Sequence, residues 1–167
     1  MNITAGKLKG RKLITPDTDL VRPTLSKVRM ALFNVLQSYV EFENSKFLDM
    51  YGGSGIMGLE ALSRGFKSVT VIEKDRKIFQ IIKKNYELLN QNAEFHNIDT
   101  LKFKTDETFD VIYIDPPYYA GVYEQTLKIM PKFKICVIEH PEDIEITGFN
   151  ILKQKKYGDK ILTFLTK

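Results

Sequence analysis

Apolar residues along this chain follow two rhythms. Leu25, Val28, Leu32, Phe33, Val35 and Leu36 fall near the 3-, 4- and 7-residue spacing of an amphipathic helix, and Thr24, just after Pro23, is its predicted N-cap. From residue 46 onward, short unbroken apolar runs alternate with longer periodic stretches. The runs predict strands over 46–50, 68–72, 109–114 and 135–139, with a weakly signalled strand over 94–97. The periodic stretches predict helices over 56–64, 76–89 and 119–130, the first stopped by Gly65. Strands without polar alternation are those buried on both faces, so an α/β fold is expected, with a mostly parallel sheet covered by helices on both sides. Two further runs, 149–153 and 161–165, flank the turn Tyr157-Gly158-Asp159 and predict a closing antiparallel hairpin. At the other end, residues 2–5 and 12–15 alternate around Gly6-Lys7-Leu8-Lys9-Gly10, which predicts a β-hairpin with a basic tip.

Length sets the scale. A chain of 167 residues reads as one domain, divided here into a basic N-terminal hairpin and helix (1–40) and a main domain (41–167). It can bury roughly 70% of its unfolded surface and needs no staple to hold a core. The single cysteine, Cys136, excludes a disulfide framework and a cysteine-based zinc site. His96 and His140 are too few and too far apart to argue a metal centre, so no metal is expected. No run approaches the ~18 apolar residues of a membrane span, and the N-terminus lacks the apolar core of a signal peptide. A soluble cytoplasmic protein, monomeric and free of membrane, is the expectation.

Charge changes that picture in one place. The chain carries 25 basic and 21 acidic side chains, a net of +4. The first thirty residues hold seven of the basic ones (Lys7, Lys9, Arg11, Lys12, Arg22, Lys27, Arg29) against Asp17 and Asp19, so the whole excess lies there. Phosphate binding needs locally concentrated cations, which makes this arm a candidate nucleic-acid contact.

The chemistry gathers at two motifs. Gly53, Gly55 and Gly58 form G-x-G-x-x-G between a predicted strand and a predicted helix, the context of a nucleotide-type pocket. Glu73 ends the next strand, about twenty residues on, where a carboxylate accepts ribose hydroxyls. Asp49 closes the first strand. A carboxylate there opposes the pyrophosphate of a dinucleotide and suits S-adenosylmethionine, with its sulfonium and ammonium groups. That argues against a dehydrogenase. Asp99 can accept an adenine amino group while Ile98 packs on the ring.

The second motif, Asp115-Pro116-Pro117-Tyr118, follows the strongest strand signal, and open α/β sheets bind ligands at the carboxyl ends of their strands. The lone pair of a base amino group is delocalised into its ring. If Asp115 accepts one N–H and a backbone carbonyl the other, the nitrogen is drawn toward tetrahedral geometry and its lone pair faces the methyl group. Pro117 restricts Pro116 to extended dihedrals and so fixes its carbonyl. Tyr118 offers a ring for stacking an extruded base. The motif indicates an amino nitrogen on a planar group and leaves open guanine N2, adenine N6, cytosine N4 or a glutamine amide.

Taken whole, the chain resembles the bacterial small-subunit ribosomal RNA guanine-N2 methyltransferases (the RsmD-type enzymes). The resemblance is carried by Ile3 through Leu13, Arg22-Pro23-Thr24, Val28 through Asn34, the glycine loop with Gly-Leu-Glu-Ala-Leu-Ser-Arg-Gly at 58–65, Val71 through Asp75, Asp115 through Tyr118, Val137-Ile138-Glu139-His140 and Tyr157-Gly158-Asp159. The N-terminal block is the family-specific part. Gly52, where alanine is more usual, and Pro141, where a polar residue is, are small departures. The resemblance implies a seven-stranded Rossmann-like class I methyltransferase fold, S-adenosylmethionine as cofactor, and as substrate one guanine of 16S rRNA, met in the 30S subunit or its assembly intermediate. It implies a donor site of Asp49, Gly53, Gly55, Glu73 and Asp99, with Gly52, Ser54 and Lys74 beside them. Asp115, Pro116, Pro117 and Tyr118 become the catalytic set. Lys7, Lys9, Arg11, Lys12, Arg22 and Arg29 become the residues that grip RNA. Two other readings stay open: a DNA adenine-N6 or cytosine-N4 methyltransferase, and a non-catalytic RNA-binding assembly factor on the same fold.

Overall fold

The computed structural model describes residues 1–15, 25–119 and 121–167. Arg22 of the predicted basic arm, with Pro23 and Thr24, lies outside the described residues. Among those described, α1 is Ser26–Leu36, α2 Ile56–Ser63, α3 Arg76–Leu88 and α4 Val122–Ile129; β1 is Lys46–Asp49, β2 Ser68–Ile72, β3 Glu94–His96, β4 Thr108–Ile114, β5 Lys132–Pro141, β6 Asn150–Tyr157 and β7 Lys160–Thr166.

The strands form one seven-stranded sheet in the order β3-β2-β1-β4-β5-β7-β6. The first five are parallel; β7 enters antiparallel between β5 and β6. The strands from β1 to β5 alternate between two buried faces, which is why their sequences show no polar alternation. Phe47, Val71, Val111, Tyr113 and Val137 join one apolar cluster with α1, α2 and α3. Leu48, Ile72, Ile112, Ile114 and Cys136 join a second, under α4. The class I architecture expected from the sequence is therefore present, closing antiparallel hairpin included. The exposed edge belongs to β6, whose Lys153, Lys155 and Lys156 discourage pairing with another chain.

Local chemistry sets the helix ends. Asp75 caps α3 by accepting from the N–H groups of Lys77 and Ile78 at 2.8 and 3.0 Å. Helix α1 starts differently from expectation: Leu25 holds the N-cap position and no side chain caps the helix.

The N-terminal hairpin is present: Asn2 lies antiparallel opposite Lys12, and the Ile3, Gly10 and Leu13 N–H groups donate to the carbonyls of Arg11, Ile3 and Met1 at 3.0, 2.8 and 2.9 Å. Its loop also bonds to α2. The Lys7 N–H donates to the Ser63 carbonyl at 2.8 Å, the Leu8 N–H to Ser63 Oγ at 2.9 Å, and Ser63 Oγ donates to the Ala5 carbonyl. Ile3, Leu8 and Leu13, with Leu32, Phe33 and Leu36 of α1, lie in the same buried cluster as the sheet. The described parts of this N-terminal stretch, 1–15 and 25–40, thus share the core of the sheet.

Candidate active site

The carboxyl ends of β1 and β4 meet at the point where strand order reverses, and a cavity of about 500 Å³ opens above them. This is where an open α/β sheet leaves room for a ligand. Each strand end delivers part of the lining. Tyr51 to Ser54 come after β1, Glu73 to Asp75 after β2, Asp99 and Thr100 after β3, and Asp115 to Tyr119 after β4. Because β7 runs antiparallel, its first residue, Lys160, arrives at the same rim.

The glycine loop is held from two sides. Gly52 N–H donates to the Ile72 carbonyl at 2.8 Å and Gly55 N–H to the Gly52 carbonyl at 2.7 Å. Gly55 then stands at the N-cap of α2 with φ of 79°, a left-handed conformation that favours glycine. Glu73 spans the gap between loops: its Oε2 accepts from Gly53 N–H at 3.0 Å and its Oε1 from Asp75 N–H at 2.8 Å. Burial pushes the Glu73 carboxyl above the usual range, against the pull of those two donors. Both oxygens retain further acceptor sites toward the cavity. Asp99 accepts from Leu101 N–H at 3.0 Å and lines the cavity as well. Ile72, Ile78 and Met57 supply an apolar wall. Acids at two strand ends, a close backbone loop and an apolar wall fit an adenosyl group with its ribose.

Asp49 and Gly55 are placed otherwise than the sequence implies. Neither lines the cavity. Asp49 is 1% exposed beneath the loop, where it accepts from Tyr51 N–H at 3.3 Å. Burial raises its carboxyl to about 7, Tyr51 opposes this, and nearby Glu73 adds to it. Ile98, beside Asp99, is half-buried and packs against the cluster under α4.

The Asp115–Tyr118 segment lies where the sequence puts it, at the end of β4 and facing the glycine loop across the cavity. Asp115 and Pro116 are largely enclosed while Pro117, Tyr118 and Tyr119 stand out. The two tyrosines have separate neighbours. Lys74 Nζ sits 5.8 Å from the Tyr119 ring centroid, and Lys160 Nζ 5.7 Å from that of Tyr118. Tyr119 therefore leans toward the β2 end and Tyr118 toward the β7 end.

Lys160 and Tyr113 are the site residues that sequence reasoning missed. Lys160 Nζ lies 3.9 Å from Asp115 Oδ2 and contacts Glu139 Oε1. Tyr113 Oη donates to Glu139 Oε2 at 3.0 Å. The turn before Lys160 was legible, but not that β7 inserts beside β5 and so brings this residue to the rim. His140, next to Glu139, is buried against Thr163 Oγ1 at 2.8 Å, a structural role.

The basic arm divides. Lys7, Lys9, Arg11 and Lys12 are exposed along the N-terminal loop. Arg29 is not: it is 1% exposed, and Nε lies 3.1 Å from Glu60 Oε1. Its Nη2 donates to the Asn2 carbonyl at 2.7 Å. A guanidinium consumed inside the core cannot grip RNA, so Arg29 leaves the RNA-binding set. The loop bearing the four exposed cations also borders the donor side. Met1 Sδ accepts from Ser54 Oγ at 3.6 Å, and buried Asn85 binds both Ile14 and the Ser54 carbonyl.

Comparison with known proteins follows this geometry. Residues 1–166 match the family described as conserved hypothetical protein 95. The chain belongs to this family. Relatives include ribosomal RNA small subunit methyltransferase D of Buchnera aphidicola, 38% identical over 158 residues, covering 92% of this chain and 78% of that protein. The protein of the same name from Haemophilus influenzae is 36% identical over 174 residues, covering 95% and 89%. Among solved structures, a candidate methyltransferase of Escherichia coli, yhhF, superimposes with a TM-score of 0.87 at 29% identity, covering all of this chain and 97% of that one. Family members therefore share both the sheet and the N-terminal block that packs on it.

Proposed function

We propose that this protein transfers a methyl group from S-adenosylmethionine to the exocyclic N2 amino group of a guanine in small-subunit ribosomal RNA. The relatives named ribosomal RNA small subunit methyltransferase D support a ribosomal RNA methyltransferase of the small subunit, with S-adenosylmethionine as donor. The observation that carries the chemistry is the opposition of two segments across one cavity, the glycine loop after β1 and Asp115–Tyr118 after β4.

When bound, the donor supplies an electrophilic methyl on a sulfonium. Glu73 and Asp99 hold its ribose and adenine by accepting hydrogen bonds, and the glycine loop admits it to the backbone. Asp115 accepts one N–H of the target amine and the Pro116 carbonyl the other, which aims the nitrogen lone pair. Tyr118 stacks on the base. The methylated nitrogen is strongly acidic, so Asp115 or water removes its proton without a stronger base. Most of the rate comes from positioning and from fixed dipoles aimed at developing charge. Lys7, Lys9, Arg11 and Lys12 bind phosphates beside the target.

A DNA amino-methyltransferase would use the same tetrapeptide, but the relatives named ribosomal RNA small subunit methyltransferase D favour RNA. The test is to incubate the protein with radiolabelled S-adenosylmethionine and 30S particles from cells lacking it, then map the modified nucleotide. Labelled N2-methylguanosine in 16S rRNA is expected. Labelled N6-methyladenosine would reassign the target. Tight RNA binding without label would make the protein an assembly factor.

A further inference from the structure

Behind Asp115 runs a line of charged and polar groups that the methyl-transfer chemistry does not itself require. Tyr113 on β4 donates to Glu139 on β5 at 3.0 Å. Glu139 contacts Lys160 on β7, and Lys160 lies 3.9 Å from Asp115. Glu139 is 1% exposed, while the Lys160 and Asp115 side chains are each 17% exposed. The line thus starts in the core and ends at the cavity rim. A separation of 3.9 Å is an ion-pair distance beyond hydrogen-bond length, so Lys160 acts on Asp115 through its charge.

Lys160 contacts two carboxylates, Asp115 and Glu139, and neighbouring carboxylates disfavour ionisation of one another. The protonation state matters to the chemistry. An ionised carboxylate only accepts hydrogen bonds, whereas a protonated one presents a donor to an amine that has only N–H to offer. Burial disfavours the Lys160 charge, but Asp115 and Glu139 outweigh it and raise the lysine above its ordinary value. Among the described residues, Tyr118 ahead of α4 and Tyr123 on α4 also feel Asp115 and Glu139, and Tyr123 feels Asp143 after β5 as well.

We propose that Lys160 is a positioning residue for Asp115: braced from behind by Glu139, its ammonium keeps the Asp115 carboxylate anionic and held at the target side of the cavity. This rests on the reading of Asp115 as the acceptor for the target amine. It accounts for a cation placed at a site whose target carries no formal charge. It also accounts for the aromatic contact with Tyr118, since one ammonium borders both the acceptor and the stacking ring.

The test uses the full chain carrying ¹³C-carboxyl aspartate, with Asp115 assigned through Asp115→Asn, and follows the Asp115 resonance against pH by NMR. Lys160→Met is expected to move the Asp115 midpoint upward by about one pH unit or more, and Lys160→Arg to leave it near wild type. On 30S particles the acidic limb of kcat should move upward with it in Lys160→Met and return in Lys160→Arg, while donor affinity, measured by calorimetry, stays within about threefold. If Lys160→Met leaves both the midpoint and the acidic limb unchanged, the proposal is overturned. Should Lys160→Met fail to fold, the Glu139→Gln/Lys160→Met pair is compared with Glu139→Gln alone, with the same upward displacement expected and the same absence overturning it. Asp115→Ala separates the two layers: turnover retained there sinks the reading of the target site. Turnover lost there but unaltered in Lys160→Met, with an unmoved midpoint, sinks the role of Lys160 alone.

Discussion

Arg29 on α1 and Glu60 on α2 form an ion pair with both side chains essentially excluded from solvent, Nε to Oε1 at 3.1 Å. Glu60 also accepts from the Thr4 N–H at 2.7 Å, from Thr4 Oγ1 at 2.9 Å and from Arg64 Nε at 3.3 Å. One carboxylate therefore ties the N-terminal loop, α1 and α2 together. Removing one partner of a buried pair leaves the other charge uncompensated. Glu60→Ala should lower stability by about 3–5 kcal/mol in urea unfolding. Arg29→Met should be less damaging than Glu60→Ala, because Arg64 and Thr4 still satisfy Glu60. An unchanged midpoint in Glu60→Ala would show that the pair contributes nothing net.

Asp115→Ala should reduce methyl transfer to 30S particles by about 100-fold or more. Donor affinity should change little, since Asp115 stands across the cavity from the glycine loop and Glu73. Single-turnover kinetics with calorimetry on the same preparations checks both halves. A variant that loses donor binding instead would place Asp115 in the donor site.

With Arg29 inside the core, the proposed RNA-binding set among the described residues is Lys7, Lys9, Arg11 and Lys12. Four phosphate contacts at roughly 0.7 each predict a log–log slope of RNA affinity against salt of about −3. Each substitution to alanine should flatten it by about 0.7. Arg29→Lys should leave the slope alone. A slope near zero for the wild type would remove the loop from the interface.

Asp49 carries a pH signature. Its carboxyl titrates at about 7 in the fold against an ordinary 3.8, chiefly through burial. Between those values the folded chain binds a proton that the unfolded chain has released. Its contribution therefore destabilises progressively as pH rises through that window, reaching about 4 kcal/mol above it. Asp49→Asn should gain stability relative to wild type as pH rises from 4.5 to 7.5, with the difference flat beyond. Urea unfolding at several pH values measures that difference, and a flat difference throughout would show that Asp49 is not protonated in the fold.

The strand and helix sequence of this chain was legible because the signals are local. Phe109 through Ile114 are apolar apart from Asp110 and become a central strand whose residues from Val111 onward are buried on both faces. The run 68–72 was read to the residue. The N-terminal hairpin was legible, but its docking was not. Further donors in it found Ser63 and Glu60 on α2, partners that alternation within residues 2–15 cannot reveal. Arg29 shows the same limit. On a helix seen alone a lone arginine reads as solvated, and its burial depends on an acid on another helix.

The candidate site divides along that line. By itself the sequence determined the two motifs, their order and the strand ends they occupy, because glycine spacing and Asp-Pro-Pro-Tyr are properties of contiguous residues. Only the tertiary structure decided that Asp49 lies beneath the loop and not along the cavity, and that Lys160 stands behind Asp115. Both follow from burial and from the insertion of β7 beside β5. Which charges face one another is set by distances through space, and chain order does not encode those distances.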